Sequence, residues 1–477
     1  MSSRLTLVTS LLSATVASLL TGDARADDLQ SEWQRPRGTY VLTDPNPAEQ
    51  AGGEVSRIIY LNRCTGGCDI TKVPRGENNA RENTSDIPAT NDGAVSTVDE
   101  FAGSEEHWND LVACVKEVYA PYDVDVVTED PGEVAYHEAI VAGDPANLKL
   151  ADDVGGIADL SCGGALNNVI SFTFANIYPT SALWELCGAV AQESAHAFGL
   201  DHEIECGDPM TYARGCGQKF FRNTAYHCGV TPQLPADCAC GGTMQNSHQM
   251  LNAVFGEGTL PPPPTVTIQS PLEDAEVTDD FAVYSHAVDK RGVEKVELLL
   301  NGWVWGSLDG HEGVALDDTE AYIFAVPANV PDGVIDIQVR ASNDLGVTGS
   351  STTTVTKGEP CSNADTCLGG QLCEEGRCFW PEPVAELGDS CDRDQDCISA
   401  DCATTSAGKL CTEECSQLIT GSCSEGFDCD STDHCVPAVD EGGCCSVSDG
   451  GGLAAGQVAL FLAVVGGMLL RRPRRRR

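Results

Sequence analysis

Twenty-four cysteines, grouped in blocks, restrict what this 477-residue chain can fold into more than any other feature. Ten fall between Cys64 and Cys240, none lies between Cys240 and Cys361, twelve run from Cys361 to Cys435, and two stand together at Cys444 and Cys445. Even counts in both large blocks suit internal pairing, provided the chain folds in an oxidising compartment. The N-terminus supplies that context. Arg4, an apolar run over 5–20 and the small-residue site Ala24-Arg25-Ala26 read as a secretory signal, residues 1–26, removed on export. An acidic balance of 72 Asp and Glu against 28 Lys and Arg, net charge -44, argues against nucleic acid or anionic lipid as partners of the main body.

The cysteine blocks coincide with changes of pattern that divide the chain into domains. Residues 27–257 read as one α/β domain. The apolar run 58–61 suits a buried strand, and Trp108, Leu111, Val112, Val115 and Val118 have helical spacing. Strands are expected over 123–127, 138–141 and 169–174. A second helix is expected from Ser181 as N-cap, with Glu185 in its first turn and Gly199 ending it in a left-handed conformation. The four-proline run within 258–264 is a stiff, extended linker. Residues 265–357 lack cysteine and alternate apolar with polar residues, at Val296, Leu298 and Leu300 and again at Ile335, Ile337, Val339 and Ala341. Asn301-Gly302 marks a hairpin, and the whole points to a β-sandwich. That pattern resembles the bacterial immunoglobulin-like modules of extracellular proteins, and its expected role is a spacer or interaction module.

Residues 358–440 carry too few large apolar side chains for a core, so disulfides are expected to hold them, in preference to a metal. Cysteines 361, 367, 373 and 378 and then 391, 397 and 402 form an imperfect repeat, similar to the small Cys-rich modules that precede surface anchors in secreted bacterial proteins. Residues 441–477 hold Cys444-Cys445, an apolar segment over 453–470 just long enough to span a bilayer, and RRPRRRR. This order resembles the MYXO-CTERM sorting signals of myxobacterial surface proteins. The resemblance implies a sorting enzyme acting near Cys444 or Cys445 and delivery to the cell surface or release from it. A plain C-terminal transmembrane anchor is the simpler alternative.

The chemistry is concentrated in 191–212, AQESAHAFGLDHEIECGDPMTY. Gln192 and His196 lie one turn apart on one helical face, Gly199 turns the chain, and His202 follows three residues later. The stretch QESAHAFGLDH followed by MTY resembles the metzincin zinc peptidases, whose pattern is HExxHxxGxxH with a Met-turn. The resemblance implies an α/β metzincin-like catalytic domain, Zn2+ as cofactor and a protein or peptide substrate. It implies His196 and His202 as metal ligands with Gln192 in the place of the first ligand. Glu193 would be the general base on a zinc-activated water, Met210 the Met-turn residue and Gly199 the turn glycine. Tyr212 resembles the tyrosine that astacins and serralysins use at zinc. An edge strand for the substrate is expected within 130–142.

Gln192 is the departure from the pattern, because a neutral amide oxygen is a poorer zinc donor than imidazole. Three outcomes stay open: Gln192 ligates weakly, Tyr212 or a distant histidine such as His137 or His227 completes the shell, or the site is empty. Cys206, with Cys216 nearby and nine partners available, is expected to form a disulfide that staples the Met-turn, not to act as a thiolate ligand; connectivity is not read from sequence. The sequence therefore supports an exported, surface-anchored zinc endopeptidase, with a catalytically inactive surface binding or adhesion protein as the alternative. Whether 27–53 forms a pro-segment stays open.

Overall fold

The computed structural model describes residues 38–43 and 55–438, except 163, 311–313, 317–318, 416–422 and 425. Residues 1–26, expected to be a secretory signal, the apolar stretch 453–470, the arginine cluster and Cys444-Cys445 lie outside the described residues. No helix among those described is long and apolar enough to cross a membrane. The described chain is mostly strand with few helices, and it divides into two compact units at Trp380 and Pro381.

The first unit opens with a strand β1 (Tyr40–Leu42), followed by β2 (Ile58–Asn62), β3 (Cys68–Lys72), β4 (Thr84–Ser85) and β5 (Val95–Val98). Helix α1 (Glu105–Tyr119) comes next, then β6 (Asp125–Val127), β7 (His137–Val141), β8 (Gly156–Leu160), β9 (Ile170–Thr173) and helix α2 (Leu183–His196). Six strands form one sheet in the order β1-β8-β9-β7-β2-β6. β9, β7, β2 and β6 run parallel to one another, β8 runs antiparallel to β9, and β1 runs parallel to β8.

Period-two alternation gives each face of the sheet its own core. Ile59, Leu61, Ala139 and Val141 pack against α1 and α2, while Ile140, Ile157, Ile170 and Phe172 pack on the opposite side with Ile70 and Val98 of the small sheet β4-β3-β5. α1 starts at Ser104, whose hydroxyl accepts from His107 N, and it buries Trp108, Leu111, Val115 and Val118 at helical spacing. A disulfide from Cys114 to Cys187 ties α1 to α2.

Two local expectations need correcting. α2 does not start on a Ser181 cap. A main-chain turn from Ala182 N to Pro179 O carries the chain past Ser181, and Ala182 caps the helix without a side-chain acceptor. The edge strand expected within 130–142 is interior, because β7 is paired on both sides by β2 and β9. β1 is the outer strand at that end of the sheet, and β8 lies between it and β9.

Residues 265–357 form two sheets of four and five strands around Val283, Leu298, Tyr322, Ile337 and Val355. Lys295–Leu300 and Trp303–Asp309 pair antiparallel across Asn301-Gly302. This module is not tethered by its linker alone. The Arg291 guanidinium pairs with Asp344 at 2.7 Å and donates to Phe221 O at 2.7 Å, both buried, which locks a loop of the sandwich onto the N-terminal domain. Disulfides Cys361–Cys373 and Cys367–Cys378 complete the first unit. In the second, Cys391–Cys402, Cys397–Cys411, Cys415–Cys429 and Cys423–Cys435 pair within the unit. These clustered sulfurs are therefore bonded to one another and are not available as thiolates.

Candidate active site

α2 carries Gln192, Glu193 and His196, and how it ends brings in the next ligand candidate. Phe198 N and Gly199 N close the last turn on Ala195 O and His196 O, and Gly199 sits at φ 93°, a conformation that lets the chain double back. The returning strand is then pinned. Gln245 accepts from Asp201 N and donates to Asp201 O, and Asp201 carboxylate oxygens accept from His202 N at 2.7 Å and Ala239 N at 2.6 Å. Disulfides Cys162–Cys240 and Cys228–Cys238 brace the loops around it.

The result is two imidazoles aimed at each other, with Nε2 atoms 3.1 Å apart. His196 Nδ1 donates to Leu200 O at 2.7 Å, so its neutral form leaves Nε2 as a bare lone pair. Tyr212 donates its only proton to Gly38 O at 2.6 Å, so its oxygen accepts from His202 Nδ1 at 3.1 Å, and His202 Nε2 is also bare. Burial opposes protonation of both rings: the His196 pKa is pushed down to about 4, and that of His202 falls well below its ordinary value through burial and the neighbouring His196. Two facing lone pairs at this distance repel unless a cation sits between them. Tetrahedral zinc, with Zn–N of about 2.0–2.1 Å, holds two nitrogens about 3.3 Å apart, so the pair fits that ion.

Glu193 lies beside them, fully buried, and neither carboxylate oxygen has a hydrogen-bond partner among the described residues. Burial raises its pKa well above the ordinary carboxylate range. Two glycines make room for it, since a methyl group at Gly38 or Gly156 would overlap its side chain. Gln192 Nε2 donates to Pro209 O at 3.0 Å and Thr211 O at 3.3 Å, which turns Oε1 toward Gly38, on the same side as Glu193 Oε1.

The turn at Met210 is held by Asp208, which accepts from Met210 N and Arg222 N at 2.8 Å each, and Met210 is fully buried in the helix-side core. Cys206 is in a disulfide, as expected, and its partner is Cys216. Lys219 donates to Thr211 O and Ala213 O, and burial brings its pKa down to about 8. With Tyr178, Glu185, Gly188 and Arg214 it lines a narrow cleft beside Gln192.

The remaining histidines proposed as alternative ligands are engaged elsewhere. His137 bonds Ser171 at 3.0 Å and packs on Phe198, and His227 is exposed and donates to Thr243 O. Residues 264–355 match the family model described as a bacterial Ig domain. No curated protein matches the chain. Among solved structures, the fibronectin(III)-like modules of Clostridium thermocellum CbhA are 20% identical, covering 20% of this chain and 94% of that one at a TM-score of 0.15. Wild-type OgpA from Akkermansia muciniphila is 9% identical, covering 66% of this chain and 95% of that one at a TM-score of 0.20. A catalytically inactive OgpA in complex with an O-glycopeptide substrate is 10% identical, covering 66% and 94% at 0.17. Likeness at these scores assigns neither fold nor activity to the N-terminal domain.

Sequence reasoning missed Gly38, Tyr40, Asp201 and Asp208. Only the β-branched run around Tyr40 offered a signal, and it pointed to a strand without saying where that strand would lie.

Proposed function

We propose that the N-terminal domain is a metzincin-type zinc endopeptidase, exported and held at the cell surface. The observation that carries this reading is the pair of bare Nε2 atoms of His196 and His202, 3.1 Å apart, beside the unpartnered Glu193 carboxylate. His196 and His202 would hold zinc, with Gln192 Oε1 as a weaker neutral donor on the same side. Zinc supplies a Lewis acid that polarises the peptide carbonyl and acidifies water. Glu193 takes a proton from the attacking water and returns it to the amine nitrogen as the C–N bond breaks. Tyr212, once free of Gly38 O, offers its hydroxyl to the oxyanion that develops on the carbonyl. Once β1 has left it, the edge of β8 would orient an extended substrate by main-chain hydrogen bonds.

Metal analysis of the exported chain tests the reading: about one zinc per chain is expected, with cleavage of a denatured protein substrate that a chelator stops. Glu193→Gln should retain zinc and lose cleavage by on the order of 10²–10⁴-fold. Zinc-loaded wild type that cleaves nothing in a broad peptide library would sink it. A second reading, a binding protein on a retired peptidase site, is favoured by the two hydrogen bonds that engage the Gln192 amide with Pro209 O and Thr211 O. It predicts no stoichiometric zinc in the wild type and recovery of zinc in Gln192→His.

A further inference from the structure

We infer that the Ig-like module is a positioning part of this site: a loop of the sandwich holds, through Arg222, the turn at Met210 that sets Gln192 and Tyr212. The inference rests on the peptidase reading and names a second part of the chain on which that site depends.

The contact is built on residues 220–223, which lie between the turn and the sandwich. On the sandwich side, Arg291 Nη2 donates to Phe221 O at 2.7 Å, Asn223 N donates to Asp344 Oδ2 at 3.2 Å, and Arg222 Nη1 donates to Arg291 O. The Arg291 guanidinium also lies over the Phe220 ring, 5.2 Å from its centre. On the site side, Phe220 N and Arg222 Nε both donate to Gly207 O, at 2.9 Å and 3.2 Å, and Arg222 N donates to Asp208 Oδ2 at 2.8 Å. Arg222 spans the boundary, with its guanidinium bonded to a carbonyl on each side. Gly207 leaves room for it, since a methyl group there would overlap the guanidinium.

From Asp208 the path to the reacting groups is short. Its Oδ1 accepts from Met210 N at 2.8 Å, and its carbonyl accepts from Thr211 N at 3.3 Å, so this residue fixes the turn over 208–211. Pro209 O and Thr211 O are the acceptors that hold the Gln192 amide, and Tyr212, next in the chain, accepts from His202 Nδ1 at 3.1 Å. A shift of the turn moves one proposed zinc donor and the partner of another, whereas His196 is held by Leu200 O and stands apart from it.

A spacer needs no such contact. The Arg291 and Asp344 side chains are 2% and 5% exposed, and taking two charges out of water is costly where a linker alone would serve.

The test uses the full exported chain as wild type, Arg222→Gln and Asp344→Asn, with Lys290→Ala as the control, because Lys290 and Glu117 form an exposed pair across the same boundary. Arg222→Gln leaves no buried charge unpaired, so it carries the test if Asp344→Asn misfolds. In metal-free protein, hydrogen exchange at the Met210 and Thr211 amides should be about tenfold faster in both clamp variants, with β7 and β9 amides and the Lys290→Ala chain unchanged. Zinc, measured by chelator competition, should bind about tenfold more weakly, and kcat per zinc-loaded chain should fall with KM unchanged. Faster exchange at the turn in a chain whose wild type holds no zinc and cleaves nothing would support the coupling and overturn the peptidase reading. Wild-type exchange at Met210 and Thr211 in the clamp variants would overturn the inference. So would an equal rise at β7 and β9, which would make the contact one of general stability, or faster exchange with wild-type zinc affinity and kcat.

Discussion

The N-terminal domain and the Ig-like module both bury ionisable side chains, but on different terms. In the Ig-like module the buried charges are paired. Arg291, 2% exposed, holds Asp344 through two hydrogen bonds, and Lys357 reaches Asp279 at 2.8 Å and Asp332 at 3.3 Å. Burial alone would raise the Asp344 pKa, yet the guanidinium takes it below the ordinary range. In the N-terminal domain Glu193, His196 and Glu138 are buried with no oppositely charged side chain bonded to them among the described residues, His202 has only Asp201 at 4.0 Å, and the pKa values of all four move toward the neutral form. Pairing is how a fold tolerates a charge for structural reasons. Leaving groups unpaired costs stability, and such groups cluster where chemistry or binding repays it.

The contrast can be broken experimentally, starting where the effect is largest. Arg291→Ala leaves Asp344 buried with the Asn223 amide as its bonded partner and no paired guanidinium, and should cost about 3–5 kcal/mol in chemical denaturation of the first unit. A loss below 1 kcal/mol would mean that the clamp between the module and the N-terminal domain is dispensable.

Glu138 tests the pH side. Burial lifts its pKa from 4.5 to about 7, only partly offset by the bond from Asn62. An acid whose folded pKa lies above its unfolded one carries more protons when folded, so its contribution falls as pH rises from about 4.5 to about 7 and is level above that. Glu138→Gln should therefore stabilise the protein at pH 8, by on the order of 3 kcal/mol, and leave it unchanged at pH 4. The difference between the two melting curves is the readout.

Glu193→Met removes the unpartnered carboxylate and keeps its length. In chelator-treated protein it should raise stability by about 1–3 kcal/mol, and in untreated protein it should lose cleavage, the pairing of gain and loss expected of a functional group. Destabilisation would place Glu193 among structural residues instead. The smallest effect belongs to Lys290 and Glu117, an exposed pair at 2.7 Å across the same domain boundary. Lys290→Ala should change stability by less than about 1 kcal/mol, and a larger loss would remove the distinction drawn from Arg291.

Much of this was legible in the chain itself. Strands and helices announced themselves where one face is buried, as in α1 or the run from Ile335 to Ala341, because local periodicity and the core agree there. The Asn301-Gly302 hairpin followed from short spacing, and a disulfide at Cys206 was expected, while its partner Cys216 was shown only by the fold. Helix ends were less legible. Ser181 has the chemistry of a cap, but a turn two residues long displaced it.

Sequence alone determined which residues stand one helical turn apart on α2, where Gly199 breaks it, and that Gln192 occupies a position where imidazole is the better metal donor. Those are properties of neighbours along the chain. The tertiary structure decided the rest: that β7 is interior and β1 lies outside β8 at the sheet's end, that Gln192 turns its oxygen toward Glu193 because two carbonyls hold its nitrogen, and that Tyr40 lies over His196 and His202. Sheet order and side-chain direction are set by contacts between residues distant along the chain, 17 positions apart for Gln192 and Pro209 and more than a hundred for β1 and β8, and no local pattern encodes them.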